Sequence, residues 1–123
     1  MLIVHLIFAA AGLLFAGIGI PLWLEKVGPN GLYGFRTAAT LSNRRVWFAV
    51  NKVLGRDLVF LGLFQIAAAG VGYVLAPKKA PDYVQGQMAT IQMGILAAGF
   101  VVVVIHCALA LRRISRETEK DQP

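Results

Sequence analysis

The chain reads as an all-α integral membrane protein with three transmembrane helices, and three observations carry that reading. Of its 123 residues 58% are hydrophobic and 15% charged, and the mean hydropathy is +0.69. That is thin polar cover for a water-soluble core. The charges are also segregated, which leaves three long stretches with none: 2–24, 58–76 and 89–111. Each matches the roughly 20 residues an α-helix needs to cross about 30 Å of hydrocarbon. A backbone in lipid must satisfy its own hydrogen bonds, so each stretch is expected to be helical. A β-barrel needs many alternating strands, for which the chain is too short. The expected organisation is one membrane domain over 1–123, with a long first loop at 25–57 and a tail at 112–123.

The first stretch is read as a retained helix. No Lys or Arg precedes Glu25, whereas a signal peptide opens on a basic region and has a shorter apolar core. Cys107 is the single cysteine, so no disulfide forms within the chain, and a small apolar packing residue is the simplest reading of it.

Formal net charge is +6, and its distribution sets an expected orientation. Lys26, Arg36, Arg44, Arg45, Lys52 and Arg56 lie between the first two spans, and Arg112, Arg113, Arg116 and Lys120 follow the third. Only Lys78 and Lys79 fall on the opposite side. The positive-inside rule then places the N-terminus outside and the C-terminus in the cytoplasm of a plasma-membrane protein. Anionic lipid headgroups at the basic first loop account for the charge, with no need for nucleic acid.

The first loop is the informative part. Its first half, from Val27 to Thr37, is rich in turn formers: Pro29 fixes φ, the glycines permit positive φ, and Asn30 can bond the backbone that follows it. Tyr33 and Phe35 suit the headgroup zone. Its second half, 40–55, is expected to be a basic amphipathic helix, most simply in the interface plane and otherwise projecting into the cytosol, capped by Thr40 or Ser42 and ended by Gly55. Val46, Trp47, Val50, Val53 and Leu54 share one face, with Arg44, Arg45, Asn51 and Lys52 around the other. Phe48 interrupts the polar side.

Pro29-Asn30, Tyr33-Gly34-Phe35-Arg36-Thr37, Thr40-Leu41, Trp47, Asn51 and Gly55-Arg56 together resemble the signature loop of the SdpI family. This is a group of small bacterial membrane proteins named after an immunity protein against a secreted toxic peptide. The resemblance covers 28–56 and implies a polytopic α-helical protein with this loop between two spans. The family's named member joins immunity to sequestering a repressor at the membrane, and it is longer, with additional spans.

Two roles are open for Arg36. Its guanidinium can grip a lipid phosphate or a partner's carboxylate, or it can bond carbonyls left open by the Pro-Gly turn and so lock the loop. Asn30 and Asn51 are expected to tie turn to helix, and Trp47 to anchor at the interface. Pro29, Asn30, Tyr33, Gly34, Arg36, Thr37, Trp47, Asn51 and Gly55 are thus the candidate residues, structural or binding a partner or lipid.

Enzymatic chemistry has no footing here, and neither a cofactor nor a metal is expected. The six acids, Glu25, Asp57, Asp82, Glu117, Glu119 and Asp121, lie outside the charge-free stretches, and no metal-ligand or phosphate-loop motif occurs. His5 and His106 fall near opposite faces, too far apart to share a haem, and read as helix-end imidazoles with hydrogen-bond partners. Gln65 and Gln92 can bond across helices, and the pairs Gly12/Ala16, Ala68/Gly72 and Gly94/Ala98 let helices approach closely. The expected function is a membrane protein that binds a peptide or protein partner, most concretely in toxin immunity. The alternatives are an accessory subunit of a larger membrane complex and a protein that binds lipid phosphate.

Overall fold

The computed structural model describes residues 2–123, and four α-helices account for 98 of them. Helix α1 spans Leu2–Trp23, α2 is a single short helix at Ala38–Ser42, α3 spans Arg44–Leu75 and α4 spans Asp82–Lys120. No strand occurs among the described residues. Helices α1, α3 and α4 are each long and apolar enough to cross a membrane. At 1.5 Å per residue α3 reaches about 48 Å and α4 about 58 Å. Both exceed the hydrocarbon thickness, so each carries polar turns past the apolar zone.

Helix α3 is the centre of the bundle, with antiparallel neighbours on two sides and little direct contact between α1 and α4. The α1–α3 seam is made by glycines. A Cβ built on Gly12 would stand 2.6 Å from the Gly62 carbonyl oxygen, and one on Gly19 would stand 2.5 Å from that of Gly55. Neither position has room for a side chain, so backbones touch directly. In lipid such contact replaces the hydrophobic effect as the source of helix association. Of the small-residue pairs, Gly12/Ala16 lies in this seam and Gly72 sits beneath His5, while Gly94 faces open space.

The α3–α4 seam is tied by polar groups. Gln65 Nε2 donates to Gln92 Oε1 at 2.6 Å, and Gln92 Nε2 donates to the Ala68 carbonyl at 3.1 Å. Nearer the loop, Leu22, Leu58, Leu61, Val103 and Cys107 form the buried cluster where all three long helices meet. Cys107 has the packing role expected of it.

Three expectations need correction. The surface helix over 40–55 is not a separate element, because α3 runs without a break from Arg44 through Gly55 into the span. Val46, Trp47 and Val50 on its apolar face are buried, and the chain's own first loop lies over Trp47 where lipid was expected. The third helix begins at Asp82 and continues to Lys120, so it extends the expected span of 89–111 by seven residues at one end and by nine into the tail. His5 has no hydrogen-bond partner among the described residues: it is 4% exposed, neither ring nitrogen is bonded to any of them, and the edge of Tyr73 packs against it at 5.9 Å.

These contacts set opposite outcomes for two glycine substitutions. Gly19→Ala should lower stability by about 1–3 kcal/mol, since the added carbon overlaps α3 backbone. Gly70→Ala, with nothing near its Cβ position, should raise it by about 0.5–1 kcal/mol through helix propensity. Thermal unfolding of the two variants in one detergent compares them directly.

Candidate functional site

The first loop folds back over the polar end of α3, and each turn of it has an identifiable fastening. Helix α1 ends with the Lys26 N–H donating to the Pro21 carbonyl at 2.9 Å and the Glu25 N–H to that of Leu22 at 3.2 Å. This pattern puts Glu25 in the left-handed region, at φ 57°, where glycine is the commoner choice. The Glu25 carboxylate meets Lys52 Nζ at 3.2 Å. Asn30 then organises the turn as its residue type suggests, but its bonds stay within the loop and, unlike those of Asn51, do not tie it to α3. Asn30 Oδ1 accepts the N–H groups of Leu32 and Tyr33 at 2.8 and 3.0 Å, and its Nδ2 donates to the Gly28 carbonyl at 2.8 Å.

The loop is joined to α3 by two buried side chains one helical turn apart. Asn51 Oδ1 accepts the Phe35 N–H at 2.6 Å, and Asn51 Nδ2 donates to the Trp47 carbonyl at 3.0 Å. Trp47 Nε1 donates to the Val27 carbonyl at 2.8 Å. Gly34 lies on top of both, at φ 125°. A Cβ there would stand 2.8 Å from Asn51 Oδ1 and 2.9 Å from the Trp47 ring. Backbone conformation and space therefore both require glycine.

Past the loop the chain enters α3 through two capping residues. Thr37 caps α2 in a reciprocal box with Thr40, and the buried Thr40 hydroxyl donates to the Phe35 carbonyl at 2.9 Å. Asn43 caps α3, its Oδ1 accepting from Arg45 and Val46. Neither Thr40 nor Ser42 is an N-cap. The pattern reading went wrong because a threonine three residues beyond another can serve as the N3 partner as well as the cap.

The nine candidate residues therefore separate into two groups. Asn30, Gly34, Thr37, Trp47 and Asn51 hold the loop, and Gly55 holds α3 against α1, where a Cβ would meet the backbone of Gly19, Leu22 and Trp23. Trp47 is 0% exposed and so anchors the loop, not the bilayer interface. Pro29, Tyr33 and Arg36 lie at the surface. Arg36 is exposed and has no hydrogen bond or ion pair with any described residue. The open carbonyls it was a candidate to bond are taken instead by the Asn30 amide and the Thr40 hydroxyl. Leu32, which pattern alone gave no reason to single out, is 90% exposed beside Tyr33.

Beneath the loop an apolar cavity of about 210 Å³ opens between α1, α3 and α4. Phe15, Leu22 and Phe100 line it, and Tyr33, Gly34 and Phe35 form its rim. A second polar constellation joins α3 to α4 at the same end. Asp57 accepts from Arg56 Nε and Nη2 at 3.1 and 3.0 Å, and its other oxygen pairs with His106 Nδ1. His106 thus has the hydrogen-bond partner expected of it.

A family model described as the SdpI/YfhL protein family matches residues 26–109, more than half of the chain. The match contains the loop, α2, α3 and most of α4, and leaves α1 outside. No curated protein and no solved structure matches the chain.

Asn51→Leu should release the loop. It leaves the Phe35 N–H without its partner, at a cost of about 1–3 kcal/mol. Limited proteolysis in detergent should then cut between residues 26 and 37 in the variant, under conditions that leave the parent chain whole. Asn51→Asp keeps the acceptor and should fall between the two.

Proposed function

The chain belongs to the SdpI/YfhL protein family, and on that premise we propose that it is a binding protein of the membrane, not an enzyme. Its partner is a peptide or protein that docks on the surface carrying Leu32, Tyr33 and Arg36, and the biological role is immunity to a membrane-active toxic peptide. One observation carries this reading. Asn30, Thr37, Thr40 and Asn51 are all engaged in holding the loop, while Arg36 is left exposed and unpaired among the described residues. With the backbone under Arg36 already held by the loop, only side-chain freedom remains to be lost when its guanidinium meets a carboxylate.

The neighbouring groups fit such a partner. Leu32 offers an apolar contact next to the charge, and the cavity rimmed by Tyr33 and Phe35 has space for an apolar side chain. The positive-inside charge distribution supports a position for this surface on the cytoplasmic side of the plasma membrane. A toxic peptide that has already entered the bilayer would meet it at the inner boundary.

Arg36→Ala separates binding from folding. Loss of an exposed, unpaired side chain changes stability by no more than about 0.5 kcal/mol, so the variant should accumulate in membranes like the parent. Cells carrying it should be as sensitive to toxic peptides secreted by sibling cells as cells without the protein. A mild-detergent pull-down should lose its partner in parallel. Full resistance in the variant contradicts this function for Arg36. A partner recovered one-to-one from both proteins points instead to an accessory subunit that docks elsewhere.

A further inference from the structure

We propose that the groove between α3 and α4 at the loop end of the bundle is a binding site for one anionic phospholipid, with its phosphate held by Arg56 and Arg113. This lies on a different face from the surface of Leu32 and Arg36 and does not depend on the role proposed for it. Two adjoining hollows make up the groove. One, of about 300 Å³, is lined by Arg56, Arg113 and His106, with Val53 and Leu109 at its sides. The other, of about 330 Å³, continues from His106 along Phe60, Phe64, Gly99 and Val102. A polar compartment opening lengthwise into an apolar one has the shape and order of a headgroup followed by an acyl chain.

The depth agrees. From Leu58 to Leu75 α3 covers about 27 Å, close to the thickness of the hydrocarbon layer, so Asp57 and the paired His106 mark its edge. Arg56 stands just outside that edge, and Arg113 lies seven residues beyond His106, about 10 Å farther out. The apolar hollow lies inside it. Phe60, Phe64 and Val102 are exposed in the protein alone, as residues facing a chain of lipid must be. Gly99 deepens the notch, since a side chain there would overlap Leu61.

Charge complementarity selects the anionic lipid. Asp57 neutralises part of the site, holding Arg56 and His106 in place, but Arg113 has no ion pair among the described residues. Arg112, Arg116 and Lys120 outnumber Glu117 along the same stretch of α4, so its charge stays positive. The first loop, where headgroups were expected, has fewer free cations to offer. Lys52 is taken by Glu25, Arg45 by Asp121, and Arg44 lies over the Phe48 ring at 5.3 Å.

Native mass spectrometry of the full chain in mild detergent tests the site, with phosphatidylglycerol and phosphatidylcholine of identical acyl chains as probes. One phosphatidylglycerol should be retained in preference to phosphatidylcholine. Arg113→Gln removes no hydrogen bond or ion pair among the described residues and should weaken that binding about fivefold, and Arg56→Gln with Arg113→Gln about thirtyfold. Lys78→Gln with Lys79→Gln removes equal charge at the other end and should leave binding unchanged. Val102→Trp should block the apolar hollow and weaken binding with both arginines intact. Equal retention of the two lipids, unchanged binding in Arg113→Gln, or displacement by millimolar inorganic phosphate would each overturn the proposal.

Discussion

The hydrogen bond from the Phe35 amide to Asn51 is the contact on which the loop depends. Asn51 is almost fully buried, and its amide works in both directions, accepting from the loop and donating to the Trp47 carbonyl of its own helix. A buried amide left unpaired is costly, so the loop and the helix have to keep this register together. Gly34 lets the chain come close enough to reach it, and the Thr40 hydroxyl fixes the other side of the same Phe35 peptide. Held at both its N–H and its C=O, Phe35 is the fixed point from which Arg36 projects.

That arrangement needs α3 to be one rigid helix, and the glycines of the α1–α3 seam supply the backing. Gly55 serves both parts of the structure. It lies one turn beyond Asn51 and touches α1 backbone at Gly19, so the platform under the loop is fixed by a helix outside the matched family region. On the other side Asp57 and the glutamine pair bind α4 to α3 at two depths. Close backbone contact and buried polar bonds are the two means of helix association that remain effective in lipid. This chain uses one on each face of its central helix.

Much of this was legible in the residues. Unbroken apolar stretches place the three spans, because the bilayer permits few other backbones. Asn30 and the Gln65–Gln92 bond follow from side-chain type alone. Gly55 misled because glycine serves equally as a helix stop and as a point of close approach, and only the presence of Gly19 opposite it decides. Trp47 misled for a related reason. An amphipathic helix shows which face is apolar, not whether lipid or protein covers it, and here the chain's own loop does. The freedom of Arg36 could not be read either, since it depends on which other groups reach the open carbonyls first.

Hydrogen–deuterium exchange of the loop amides, measured in detergent or nanodiscs, tests the rigid-loop account most directly. The Phe35 amide should exchange as slowly as the amides of α3 around Asn51, while the exposed Gly31 amide exchanges fast. Uniformly fast exchange across residues 27–37 would mean that the loop is not held on α3. The presentation of Arg36 from a fixed backbone would then be wrong.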